Sequence, residues 1–305
     1  MSAIVSIIIP TFNRATIISE TLHSVSNQSF VHWECLVIDD GSTDNTEELV
    51  QNFIEKDARF HYYKRPDSYK KGANGCRNYG YTLSKGQFIN WLDSDDLFSE
   101  DKLEAQVSEI QNSLQNSGLV VSCKWNRFET NVTGILPKVT HINKTFDSGL
   151  ELLKTFNKFA SFFPSHAYLV SRDLVEKSDG WDENILVNQD GEFFTRILIK
   201  ATKVLHPDDG LVYYRSPQIG GVSQFQSKEK IHSAIQSWRL ITAQLDKEAP
   251  KVHFPFIDHA KNYLFEKIED RSLQRSFPTF FRDQLRRQRF WYRIKAKLLS
   301  LIKRS

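Results

Sequence analysis

Sulfur is scarce in this chain, with three cysteines and one methionine in 305 residues. Cys35, Cys76 and Cys123 are widely spaced and fit neither a metal-ligand pattern nor a disulfide framework, which points to a reducing compartment. No apolar run approaches the length of a membrane span. The first residues lack a basic segment and a small-residue cleavage site, so no signal peptide is read and a cytoplasmic location is expected. On that expectation the sequons at Asn131 and Asn143 are chance matches. The segment PTFNRATI (10–17) holds no glycine, which excludes the G-x-G-x-x-G dinucleotide fingerprint after the first apolar run; a P-loop is absent too. Repeats and low-complexity tracts are also missing.

What is present is ordinary for a globular protein: 40% hydrophobic and 25% charged residues. The net charge of +3 hides an asymmetry. From Arg282 onward nine basic residues face Asp283 alone, leaving the rest of the chain near −5.

The first third alternates between two periods. AIVSIIIP (3–10), WECLVIDD (33–40), RFHYYKR (59–65), QFINWL (87–92) and GLVVSCKW (118–125) read as strands. The stretches 15–28, 44–57, 74–86 and 101–115 read as helices, with Ser42 or Asp44 placed to cap the second. Such alternation predicts an α/β fold with a parallel sheet and right-handed crossovers. In the middle, SHAYLVSR (165–172) is strand-like and QDGEFFTRILIKA (189–201) helical, with Phe193, Ile197 and Ala201 on one face. The chain from Lys228 on reads as helical.

Ligands in such sheets bind beyond the carboxyl ends of the strands. Pro10-Thr11, Asp39-Asp40 and Asp93-Ser94-Asp95-Asp96 each follow an expected strand, so three polar clusters should meet along one sheet edge. Three carboxylates within four positions repel one another unless water or a cation lies among them. A hard divalent cation, Mg²⁺ or Mn²⁺, suits them, since it takes oxygen ligands and shares them with substrate phosphates. The plainer alternative is that Asp96 or Ser99 caps the next helix while Asp93 and Asp95 lie in water.

VSIIIPTFNR (5–14), VIDDGSTDNT (37–46), GCRNYG (75–80) and INWLDSDD (89–96) resemble, in order and spacing, glycosyltransferase family 2. GWDENILVNQDGEFFTRIL (180–198) is similar to the acceptor-side segment of that family. The resemblance runs over roughly residues 4 to 225. It implies an inverting enzyme of the GT-A fold, a Rossmann-like and mostly parallel sheet flanked by helices, here with a helical C-terminal extension. The implied parts are a nucleotide-sugar half (1–125), an acceptor half (126–225) and the extension (226–305).

Carried over residue by residue, the resemblance gives Pro10 and Thr11 the nucleoside site and Asp40 a hydrogen bond to the base, uracil being expected first. Asp39 holds the turn. Arg77, beside Asn78, and Lys71 or Lys70 reach the donor. Asp93 and Ser94 contact the ribose or the metal, and Asp95 is the direct metal ligand. Asp190 is the implied general base, with Glu192 in reserve, and Trp181, Asp182 and Glu192 border the acceptor. Relatives often carry a histidine near 216–223; none stands there, so a metal ligand from that loop is not expected, and His206 reads as structural.

The segment RRQRFWYRIKAKLLSLIKR (286–304) is a basic amphipathic pattern, with Phe290, Trp291, Ile294, Leu298, Leu301 and Ile302 on one side. It suits peripheral contact with an anionic membrane, or packing on the body with its basic face in water. No nucleic-acid-binding motif accompanies it. The expected partners are therefore a nucleotide-diphosphate sugar and a glycan or lipid-linked acceptor. A nucleotidyltransferase of related fold and a non-catalytic nucleotide-sugar-binding module are the alternatives.

Overall fold

The computed structural model describes residues 4–113, 115, 117–159, 162–216 and 227–290. The three central strands form because their side chains are mostly apolar and often β-branched, and every one of their residues is buried. β1 (Val5–Thr11) lies between the parallel strands β2 (Trp33–Asp39) and β4 (Phe88–Trp91). β3 (Phe60–Lys64) extends the sheet beside β2. Helices α1 (Ile18–Ser26), α2 (Thr46–Ile54) and α3 (Ala73–Leu83) connect these strands. Gly80 lets α3 pack closely on the sheet, since a Cβ there would stand 2.6 Å from the Ile8 side chain.

Beyond β4 the order departs from the sequence reading. β5 is two residues (Leu97–Phe98), and α4 (Lys102–Asn112) follows. The expected strand over 118–125 is two strands: β6 (Leu119–Val121) stays in the main sheet, while β7 (Lys124–Phe128) leaves it. After α5 (Gly149–Phe159), the expected strand over 165–172 shortens to β8 (Leu169–Ser171), flanked by a 3₁₀ turn (Ser165–Ala167) and α6 (Arg172–Glu176). β8 runs antiparallel to both β4 and β6, so the sheet is mostly rather than wholly parallel. Asn90 fixes this junction by donating to the carbonyls of His166 (3.0 Å) and Tyr168 (2.7 Å).

α7 (Gln189–Lys200) precedes β9 (Lys203–Leu205) and β10 (Leu211–Arg215). The seven-stranded order is β3-β2-β1-β4-β8-β6-β9, and β5-β10-β7 form a second small sheet. Phe193, Ile197 and Ala201 of α7 are buried, as the periodicity requires. Phe193 meets Trp91 at 4.9 Å and stacks on Trp181 at 4.1 Å. Such ring contacts contribute about 0.5–1.5 kcal/mol each beyond the area they bury.

α8 (Lys228–Glu248), α9 (Pro255–Lys267) and α10 (Arg271–Ser276) follow, and 282–290 is helical. Ile235, Leu264 and Phe281 centre a second apolar cluster there. Among the described residues no helix is long and apolar enough to cross a membrane. The basic pattern over 286–304 lies outside the described residues from 291 on, as does the segment 217–226.

Candidate active site

The carboxyl ends of β1, β2 and β4 share one edge of the sheet because the three strands are adjacent and parallel. Pro10 and Thr11 end β1, both buried, and Thr11 Oγ1 has no protein partner. The loop after β1 is fastened to the loop after β2. Asn13, at φ +50°, accepts from the Thr43 N–H (2.8 Å), and Ser42 Oγ accepts from the Asn13 N–H (2.9 Å). Asp39 holds this turn, accepting from Ser42 N–H and from the Tyr62 hydroxyl at 2.5 Å. Asp44 rather than Ser42 bonds the start of α2, through the Thr46 N–H (3.1 Å). Asp40 is paired with Arg65 Nε at 2.5 Å, and its Oδ2 has no partner among the described residues.

α3 is the hub of the site. Asn74, Arg77 and Asn78 are three and four residues apart, so they share a face. Asn78 exchanges two hydrogen bonds with the backbone of Trp181 (2.8 and 2.9 Å) and a third, at 2.8 Å, with Glu183. Asn74 donates to the Asp182 (2.8 Å) and Ile185 (3.2 Å) carbonyls. Arg77 donates to Asp93 Oδ1 (2.7 Å) and Gln189 Oε1 (3.0 Å), its guanidinium lying 4.3 Å over the Trp181 ring. One buried side chain therefore joins the acidic turn after β4 to the residue preceding Asp190.

Within the acidic turn the three carboxylates differ. Asp93 is paired with Arg77. Asp95, about one-third exposed, has one ion pair among the described residues, a distant one with Arg14 at 3.9 Å, and the Arg215 charge also acts on it. Desolvation first, and the Asp93 charge second, push its carboxyl above the ordinary range. Asp96 is buried and accepts from the Arg215 N–H at 2.7 Å, with His166 Nδ1 3.1 Å from its other oxygen. Burial raises Asp96 strongly and lowers His166 to about 3. Asp96 therefore supports the turn and does not cap α4, whose N-cap residue is Asp101; Ser99 does not cap it by its side chain either. Arg215 also donates from Nε to the Asp95 carbonyl (2.7 Å) and pairs with Glu20 (2.7 Å).

Asp190, in the first turn of α7, is exposed to solvent, while the protein packed around it desolvates its carboxyl. Burial raises its pKa, the Arg77 charge opposes that shift, and Asp93 adds to it. Two acceptor-side expectations, Trp181 and Glu192, need correction. Trp181 is 3% exposed and packed between Phe193 and Arg77, so it belongs to the core and not to an acceptor surface. Glu192 is buried and gripped by Arg196 through two bonds (2.8 and 2.7 Å), which removes it both as an acceptor contact and as a reserve base. Asp182 accepts from the N–H and side chain of Asn184 and shapes the loop.

Lys71 is exposed, its ammonium 5.3 Å from the Phe12 ring, and Ser94 is buried within the acidic turn. His206 is structural, bonded to Ser122 Oγ at 2.8 Å. Asp93 and Asp95 offer carboxylate oxygens, and among the described residues no third acid, thiol or imidazole joins them. That set does not suit an all-protein cage such as structural zinc. It fits Mg²⁺ or Mn²⁺, whose remaining positions go to water and phosphate.

Asn74, Arg14 and Arg215 were not foreseen as parts of the site. Nor were Ser233 and Ser237 of α8. Ser233 Oγ accepts from the Leu186 (2.6 Å) and Val187 (3.3 Å) N–H groups, and Ser237 bonds Asn188. The one available signal was the i, i+4 spacing of two serines on a helix that otherwise buries apolar residues.

The profile described as Glycosyl transferase family 2 matches residues 6–178, more than half of the chain. The chain belongs to glycosyltransferase family 2. Its architecture is the family's GT-A fold: S. aureus TarS, crystallised with UDP-GlcNAc, superposes with TM-score 0.66 over 91% of this chain and 73% of TarS, at 21% identity. A mannosyltransferase from Pyrobaculum calidifontis, crystallised with GDP-Man and Mn²⁺, superposes with TM-score 0.56 over 87% of this chain and 70% of its own, at 20% identity. Among curated family members, the Escherichia coli UDP-Glc:alpha-D-GlcNAc-diphosphoundecaprenol beta-1,3-glucosyltransferase WfgD is 43% identical over 105 residues, or 34% of this chain. The match spans 40% of that relative's length, and similar shares, 40% and 44%, of relatives in Bacillus subtilis and Haemophilus influenzae.

Proposed function

We propose that this protein is a metal-dependent inverting glycosyltransferase, moving a sugar from a nucleotide-diphosphate donor, a UDP-sugar first, to a hydroxyl of a lipid-linked or glycan acceptor. The observation that carries this reading is the Arg77 bridge, which ties Asp93 to Gln189, the neighbour of Asp190, while the Arg77 and Asp93 charges both act on Asp190. The relative named for UDP-Glc and a diphosphoundecaprenol acceptor supports the substrate classes, and the neighbour crystallised with GDP-Man and Mn²⁺ supports the cation.

In this reading Thr11 Oγ1 and Asp40 Oδ2, neither with a partner among the described residues, meet the nucleoside, and Asp93, Ser94 and Asp95 face the diphosphate side. A bound Mg²⁺ or Mn²⁺ held by Asp95 and Asp93 supplies positive charge against the leaving diphosphate. Asp190 takes the proton of the acceptor hydroxyl as its oxygen bonds the anomeric carbon. The bond from that carbon to the diphosphate breaks on the opposite face, and the nucleoside diphosphate leaves with the electron pair, so the anomeric configuration inverts. Desolvation strengthens Asp190 as a base, since its raised pKa lies nearer to working pH. The Arg77 charge opposes the rise that desolvation and the Asp93 charge impose on Asp190.

The test compares wild type and Asp190→Asn in donor hydrolysis and transfer, with and without Mn²⁺, alongside thermal shifts with UDP-sugars. Metal-dependent turnover in the wild type, and donor binding without turnover in the variant, are expected. Donor binding with no turnover in either protein would leave a binding module instead. The basic segment at 286–304 is assigned to the anionic inner face of a membrane, and vesicle flotation of full-length and truncated chains checks it.

A further inference from the structure

A groove of about 340 Å³ opens between Lys70, the 181–189 loop at Asn184 and Leu186, and the exposed face of α8 that carries His232 and Arg239. Its basic side chains have no acidic partners. Lys70 Nζ touches Asn184 Oδ1 at 3.3 Å, and Arg239 and His232 lie against the Phe277 ring at 5.3 and 5.0 Å. Among the described residues no carboxylate forms an ion pair with any of the three. Glu183, the nearest acid in sequence on the loop, is spent on Asn78 and on the Lys70 backbone. Glu229 is the acid of the lining. Leu186 and Phe277 add an apolar wall beside these cations.

We propose that this groove anchors the acceptor, and that the acceptor is an amphiphile of the prenyl-diphosphate class: the cations take its phosphates and Leu186 and Phe277 its first isoprene carbons. The proposal rests on the glycosyltransferase reading and deepens it. Phosphate oxygens are the ligands that a Lys-Arg-His cluster recognises by charge-assisted hydrogen bonds. Of the residues expected at the donor only Lys70, the alternative to Lys71, lines the groove; Arg77, Asp93, Ser94 and Asp95 do not, so the donor diphosphate is not the occupant. The groove and the base are held in one piece. Leu186 lies four residues before Asp190, and the intervening backbone is fixed by Ser233 and Ser237 from the helix that also carries Arg239.

The test is calorimetric binding of farnesyl diphosphate to the full chain in metal-free buffer, with inorganic pyrophosphate and farnesol as comparison probes. Farnesyl diphosphate should bind tighter than either, which separates a lipid-borne phosphate from a free one. Arg239→Gln and His232→Asn, both on the exposed face of α8, should each weaken it by roughly tenfold, the worth of one hydrogen bond to a charged group. Affinity for UDP with Mn²⁺ should stay unchanged in both. Unchanged farnesyl diphosphate binding in both variants overturns the proposal. So does displacement by UDP with Mn²⁺, which would assign the phosphates to the donor cleft, or equal binding of farnesol. This assay needs no turnover. An inactive protein that still binds the probe through Arg239 sinks the catalytic reading alone, and an active one that does not sinks the groove alone.

Discussion

Two acidic stretches meet across the cleft, and the fold treats their carboxylates differently. Between 182 and 192, Asp182 is answered by Asn184, Glu183 by Asn78 and the Lys70 N–H, and Glu192 by both arms of Arg196. Asp190 alone lacks a side-chain donor in that stretch. In the turn at 93–96 the compensation is thinner: Arg77 for Asp93, one backbone N–H for Asp96, and for Asp95 a guanidinium at 3.9 Å. A carboxylate that the fold needs for itself arrives with its donors, because a desolvated charge without them is costly. One that is desolvated and under-compensated points to a ligand.

The comparison breaks first at its two extremes. Asp190→Asn should lower kcat by about 10²- to 10⁴-fold, the usual worth of a general base, with melting temperature and donor affinity kept. The acid limb of kcat/KM in the wild type should lie above the ordinary carboxylate value, because burial raises the Asp190 pKa and only the ionised form accepts a proton. Arg196→Ala should do the converse. It strands the buried Glu192 charge and should cost about 3–5 kcal/mol in denaturant unfolding. Loss of activity without loss of stability in Arg196→Ala would restore Glu192 as a chemical group.

Asp95→Asn sharpens the claim for the turn. Removing one of two repelling, desolvated carboxylates should leave the cation-free protein at least as stable as the wild type. The gain in stability on adding Mn²⁺ and UDP should vanish. At a hundredfold excess over the dissociation constant that gain is about 2.7 kcal/mol for a single ligand. A stabilisation equal in both proteins would move the cation elsewhere.

The same contrast shows what could be read from the chain. β1, β2 and β4 announce themselves as apolar runs because a strand buried on both faces has no polar alternation to hide it. Three acids following such a run are conspicuous for the same reason. The second sheet was not legible: β5 is two residues, and β7 (KWNRF) is only partly buried, so its residues read as the end of the preceding strand. The reversal at β8 escaped because three apolar residues carry no direction. Trp181 was misplaced because an indole suits a sugar face and a core equally well, and only the stacking of Phe193 decides between them. The contact of Gln189 with Arg77 was not legible, since it joins positions 112 residues apart.

The smallest expected effect tests a buried group well away from the two acidic stretches. Desolvation, aided by Lys124, lowers His206 from 6.5 to about 4. Between those values the unfolded chain takes up a proton that the folded chain refuses, so stability falls on acidification through that window. One such group steepens the dependence by roughly 1 kcal/mol per pH unit. His206→Gln keeps a hydrogen-bonding side chain beside Ser122 but cannot titrate. Denaturant unfolding of the variant across that window should therefore give a shallower slope of stability against pH, whatever its absolute stability. A slope equal to the wild type would mean that His206 is protonated in the folded protein, and that its burial is compensated by a partner such as Asp208.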